Sequence, residues 1–131
     1  MSQSTVVREL VPLLFVDDIE RSVSFYCDGL GFRLALEARG DDGKLGWCRL
    51  ERQGAALMLQ QACEEDGPAE SRGRGVGFYF ICDDADAVHR ELLDRGMQLD
   101  PPETAYYGMR QVYLKDPDGY ILCFESPFET A

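Results

Sequence analysis

Histidine is nearly absent: His89 stands alone among 131 residues. It lies one residue beyond the apolar Val88 in a helical stretch, so it is expected to face solvent. It cannot serve as a cavity base, and no Ser-His-Asp arrangement can be assembled. Cysteine is present but unpatterned. Cys27, Cys48, Cys63, Cys82 and Cys123 are an odd number without a C-x-x-C pair, which argues against a disulfide framework or a zinc knuckle and for buried thiols that pack as small hydrophobes. Long apolar runs are missing too. The longest, Leu10 to Val16 with Pro12 counted in, is far too short for a bilayer, and no basic region followed by an apolar signal segment opens the chain, so a cytoplasmic protein is expected. Basic charge is scarce. Thirteen Lys and Arg against 24 Asp and Glu give a net charge of −11, which repels nucleic-acid phosphates and anionic lipid and favours cationic ligands. A nucleotide fingerprint is lacking as well, because Gly73-Arg74-Gly75-Val76-Gly77 leads into a strand instead of turning from strand to helix.

What is present suits a single globular domain over residues 1–131, with 45% hydrophobic and 28% charged residues and a chain long enough to bury roughly two thirds of its unfolded surface. Residues 1–8 are polar and expected to be loose or exchanged with a partner. A strand is expected from Glu9 to Val16, then an Asp17-Asp18 cap and a helix from Ile19 to Asp28 or Leu30, with Ile19, Val23, Tyr26 and Leu30 as its buried stripe and Gly31 as its stop. Strands follow at Phe32 to Ala38, Leu45 to Glu51 and Ala55 to Gln61. A charged linker with Gly and Pro occupies 62–75. The pattern then begins again: a strand from Val76 to Cys82, an Asp83-Asp84 cap, a helix carrying Ala85, Val88, Leu92 and Leu93 that stops at Arg95-Gly96, and strands at Met97 to Leu99, Tyr107 to Leu114 and Tyr120 to Glu125. Phe15-Val16-Asp17-Asp18 matches Ile81-Cys82-Asp83-Asp84, and Leu30-Gly31-Phe32 matches Arg95-Gly96-Met97, at a nearly constant offset, as an internal duplication would leave them. The fold class is therefore α+β, two tandem βαβββ modules at about 9–61 and 76–126 that form a curved, mostly antiparallel sheet with helices outside and a concave ligand cavity.

The stretch Lys115-Asp116-Pro117-Asp118-Gly119-Tyr120-Ile121-Leu122-Cys123-Phe124-Glu125 reads as a tight type I turn feeding a strand. With the Leu30-Gly31-Phe32 region, it resembles the vicinal-oxygen-chelate superfamily of glyoxalase I, bleomycin-resistance proteins, fosfomycin-modifying enzymes and extradiol dioxygenases. The resemblance covers about Val11 to Ser126 and implies the same architecture and a homodimer whose second subunit completes the cavity. In metal-dependent members a glutamate usually holds the place of Cys123. The four ligand positions carried over are Val11, Met58, Gly77 and Cys123, which do not make a metal site, so no metal and no cofactor are expected.

With the strand period of two and that family pattern, the cavity is expected to be lined by Phe15, Trp47, Arg49, Met58, Gln60, Tyr79, Tyr106, Tyr107, Tyr113, Cys123 and Glu125. Glu125 is the acid of interest. Cys123 has no basic neighbour in sequence to activate it and is expected to be inert. Aromatic faces in such a pocket can sandwich a planar ring or attract a cation. The absence of the metal set resembles the bleomycin-resistance branch, which implies metal-independent binding and sequestration of a small aromatic or cationic molecule. The alternatives are a metal-dependent glyoxalase-like lyase or dioxygenase with non-standard ligands, and an interaction module whose cavity is closed by its partner subunit.

Overall fold

The computed structural model describes residues 4–128. The chain runs β1 (Leu13–Val16), α1 (Ile19–Ser24) widening into a broader helical turn over Phe25–Gly29, β2 (Arg33–Arg39), β3 (Leu45–Arg52) and β4 (Ala55–Gln61). After the linker come β5 (Gly77–Ile81), α2 (Ala85–Asp94), β6 (Glu103–Thr104), β7 (Met109–Lys115) and β8 (Ile121–Pro127). Each module makes its own four-stranded sheet, in the orders β1-β4-β3-β2 and β5-β8-β7-β6. The pairs β1–β4 and β5–β8 are parallel and the others antiparallel, so the α+β architecture with two helices is the expected one, built as two sheets.

The same local chemistry starts both helices. Asp18 accepts from the Arg21 amide and Asp84 from the Ala87 amide, each at 3.2 Å. The next amide at each helix start is met by a side chain from the end of the parallel strand: Ile19 N donates to Gln61 Oε1 at 2.9 Å and Ala85 N to Ser126 Oγ at 2.8 Å. The duplication thus extends to how the orphan helix-start donors are satisfied.

Four expectations need correction. The first strand begins at Leu13, not Glu9. Pro12 has no N–H for a ladder, and only its carbonyl reaches the sheet, accepting from Met58 N at 2.8 Å. The first helix is α-helical only to Ser24; beyond it the Leu30 amide reaches back to the Phe25 carbonyl, five residues away, and the turns widen. Met97 to Leu99 form no strand. The Met97 amide instead closes the end of α2 on the Leu92 carbonyl, and Pro101-Pro102, which lack N–H groups, delay pairing until Glu103. Leu93 is 43% exposed and lies off the buried stripe. Of the N-terminal stretch expected to be loose or exchanged, residues 1–3 lie outside the described residues.

One hydrophobic cluster runs through both modules. A file of rings carries it across the junction, with Tyr26–Phe32, Phe32–Phe80 and Phe80–Phe124 centroids 5.9, 5.6 and 5.0 Å apart. Polar contacts run alongside. Arg52 donates to the Leu30 carbonyl and to Glu91, both at 2.8 Å, and the linker's Arg72 pairs with Asp17 and Asp118. Asp116 accepts from the Asp118 amide at 3.0 Å, the Tyr120 amide at 2.9 Å and the Tyr26 hydroxyl at 2.7 Å. Burial raises its pKa above the ordinary aspartate value despite those donors. The same burial, with Asp116 beside it, raises the Tyr26 phenol far above its usual range, so it stays a donor at physiological pH.

Tyr26→Phe removes one donor from a buried carboxylate while keeping the ring in its file. We expect a loss of about 1.5–3 kcal/mol in urea unfolding with an unchanged m-value.

Candidate ligand-binding site

Strand alternation divides each sheet into a helix-covered face and an uncovered one. In the first sheet, Leu14, Val16, Cys48, Leu50, Leu57 and Leu59 are buried beneath α1. Phe15, Trp47, Arg49, Met58 and Gln60 take the other face, where Gln60 lies between Phe15 and Trp47 in register and Met58 lies between Leu13 and Arg49. In the second sheet, Val112, Leu122 and Phe124 are buried under α2, and Tyr79, Tyr113, Cys123 and Glu125 face away. The expected lining residues thus fall into two groups, one on each sheet.

The second group is the more organised. Tyr79 and Tyr113 flank Cys123 from the strands on either side. Their hydroxyls meet at 2.7 Å and their rings pack edge to face at 6.1 Å, so the pair bridges over the thiol, which is fully buried. That contact with Tyr79, then burial, raises the Tyr113 pKa. One residue pair along, Ile81, Glu125 and Gln111 align in register. Gln111 Nε2 donates to Glu125 Oε2 at 2.9 Å and to the Tyr107 hydroxyl at 2.6 Å. Gln111 and Glu125 are only 4% and 8% exposed, so a polar network is buried at the base of an aromatic wall.

Gln111 is absent from the sequence-based set. It shares strand parity with Tyr113 and Tyr107 and stands across from Glu125, and that parity was the signal available for it. Tyr106 has the opposite parity. It is fully exposed in a turn closed by the Gly108 amide on the Ala105 carbonyl, with its ring edge to face with that of Tyr107 at 5.2 Å. Arg49 is held by Glu9, in the segment ahead of β1, at 2.8 Å and by Glu51 of its own strand at 2.6 Å, which saturates much of its donor fork.

The arrangement bears directly on metal chemistry. Val11 and Gly77 have no ligating side chain, Met58 is a soft thioether, and Cys123 lies under the tyrosine bridge with its pKa pushed up to about 12, by burial first and by the Glu125 charge second. A thiolate ligand or nucleophile is therefore disfavoured by several pH units at neutrality. These residues do not fit the metal centre of the metal-dependent branches. Among the described residues no cluster of three or more His, Cys, Asp or Glu converges elsewhere. His89 sits on α2, with Nε2 3.0 Å from the Asp100 carbonyl, apart from both groups. A groove of about 970 Å³ follows the free edge of β5 and is lined by Tyr79, Ile81 and Ala56 together with Phe32, Phe78, Phe80 and Phe124; Tyr79 is the one expected lining residue it reaches.

Solved structures share this architecture. A glyoxalase-related enzyme from Clostridium phytofermentans has a TM-score of 0.75 at 22% identity, over 97% of this chain and all of its own. The bleomycin-binding protein complexed with bleomycin has a TM-score of 0.71 at 22% identity, over 92% and 98% of the two chains. At that identity both likenesses are of fold alone. TnmS3, an antibiotic binding protein from Streptomyces sp. CB03234, has a TM-score of 0.72 at 28% identity, over 95% of this chain and 99% of its own. No curated protein matches the sequence. The family profile that does match spans residues 7–124, nearly the whole of both modules. The chain accordingly belongs to the glyoxalase/bleomycin resistance protein/dioxygenase superfamily.

Proposed function

We propose that this protein binds a small aromatic or cationic molecule without metal and sequesters it, with bleomycin-type antibiotics as the first ligands to try. One observation carries the proposal: an uncovered sheet face presents a tyrosine wall above a buried acid–amide network and offers no activated nucleophile. Aromatic walls with a few placed polar groups are what ligand pockets are made of. The antibiotic-binding and bleomycin-binding proteins of the same fold support this use of it. The enzyme alternative draws no support from the Val11, Met58, Gly77 and Cys123 positions.

In this proposal the pocket is completed by a second copy, as a homodimer. Leu13, Leu36, Tyr79, Ile81 and Ile121 are 45, 58, 44, 68 and 41% exposed, which leaves apolar side chains on the uncovered faces of both sheets for a second copy or a ligand to cover. The net charge of −11 argues against nucleic acid as a partner, and no helix among the described residues is long and apolar enough to cross a membrane. Five cysteines without a disulfide suit a cytoplasmic location.

Metal-free bleomycin added to the purified protein is expected to quench Trp47 fluorescence saturably at one drug per subunit. Trp47→Phe should lose the optical signal and keep the calorimetric one. Silence in both methods up to millimolar drug would remove bleomycin as the ligand.

Sedimentation velocity should give twice the chain mass, and Ile81→Lys should move the species toward monomer with unchanged circular dichroism. A wild-type monomer at all accessible concentrations would sink the homodimer.

Thiol titration of the native protein at pH 8 should label the exposed Cys63 quickly and leave Cys123 unlabelled until denaturant is added. Rapid native labelling of Cys123 would revive covalent catalysis.

A further inference from the structure

We propose that Glu125 is the charge partner for a ligand made of an aromatic ring bearing a protonated amine or amidine, and that Gln111 is the residue that positions it. The proposal rests on the uncovered face of the second sheet being a ligand pocket, and narrows what enters it.

A carboxylate only accepts hydrogen bonds, so the Glu125 contact fixes which end of the Gln111 amide is nitrogen. Both Nε2 hydrogens are then used, one on Glu125 Oε2 and one on the Tyr107 hydroxyl oxygen. Glu125 is thereby pinned through one oxygen, and its other oxygen receives no hydrogen bond among the described residues. Neither does any described Lys or Arg nitrogen lie within ion-pair distance of it. Arg49 is engaged by Glu9 and Glu51, and Arg110 is turned to Asp86. Glu125 is nonetheless only 8% exposed.

A carboxylate with so little exposure gains from a counter-charge, and here the protein supplies a neutral amide at one oxygen while the other is not among the buried atoms left without a partner. The missing counter-charge is what a ligand can bring. Tyr79, Tyr113 and Tyr107 stand around the same spot, and their ring faces also favour a cation. A ligand that joins a flat ring to a protonated nitrogen satisfies the wall and the base at once, whereas a carboxylate ligand meets repulsion from Glu125.

The test compares 2-naphthamidine with its neutral isostere 2-naphthamide by calorimetry. Wild type should bind the amidine at least about tenfold tighter. Glu125→Gln should erase the preference, bringing the amidine affinity down to that of the amide. Gln111→Leu should lower the amidine-to-amide ratio, a readout that general structural damage, which weakens both probes together, does not move. In the unmutated protein, naphthamidine should shift the Gln111 side-chain amide resonances, which decides the matter even if a variant fails to fold. Equal affinity of the two probes, a preference that survives Glu125→Gln, or unmoved Gln111 resonances on saturation with amidine would overturn the assignment while leaving a pocket for aromatic molecules. Failure of both probes to bind would overturn the pocket itself.

Discussion

Asp116 is the group on which the rest of the molecule depends. Its carboxylate closes the Asp-Pro-Asp-Gly turn through the Asp118 and Tyr120 amides and takes the Tyr26 hydroxyl from the other module. The local bonds fix where β8 starts. The strand's parity then follows, sending Leu122 and Phe124 into the core and Cys123 and Glu125 to the uncovered face. A slip of one residue would exchange those pairs and put a carboxylate against α2. The long-range bond joins that register to the helix of the first module, so the position of the polar network and the docking of the modules share one buried acid. Its three donors work against the burial, and the net rise in its pKa says that desolvation is the larger effect.

The duplicated modules have diverged on their uncovered faces while keeping their helix starts. Asp18 and Asp84 cap in the same way, and Gln61 and Ser126 serve the same amide from the same strand end. On the first sheet the charged side chain, Arg49, is neutralised by Glu9 and Glu51 within the chain. On the second, Glu125 has only an amide. Chemical asymmetry thus sits on a symmetric frame, and it leaves the acid without a counter-charge on the module whose last strand follows the Asp116 turn.

Much of the fold was legible because its signals are local. Asp-Asp caps, glycine stops and the alternation of β1, β3, β4, β5 and β8 are properties of a few adjacent residues, and they set element order and face correctly. The misplacements have equally local causes of a different kind. Leu10 and Val11 are apolar enough to read as strand, but Pro12 cuts their ladder, and Met97 is claimed by the end of α2 before it can pair. For the uncovered face, alternation placed Tyr79, Cys123 and Glu125 together. It could not supply the cross-strand partner, because Gln111 acquires meaning only when β7 is laid beside β8 in register. Tyr106 precedes β7, which begins at Met109, and its parity relative to Tyr107 sets it on the other side of the chain.

The cysteine at position 123 sets the chemistry of the uncovered face. A thiol is smaller and more apolar than a carboxylic acid, so it can be covered, and Tyr79 and Tyr113 do so by meeting over it. Once covered, the thiol is held protonated, and a neutral thiol is a far weaker nucleophile and metal ligand than a thiolate. The acid that remains on this strand lies one step along the same face, at the rim of the tyrosine bridge instead of beneath it. Glu125 stands in a single network with Gln111 and Tyr107, and no cluster of three or more His, Cys, Asp or Glu forms around it among the described residues. Without other ligands around it, it cannot enclose a divalent ion, but a single buried negative charge beside aromatic rings is well matched to one organic cation.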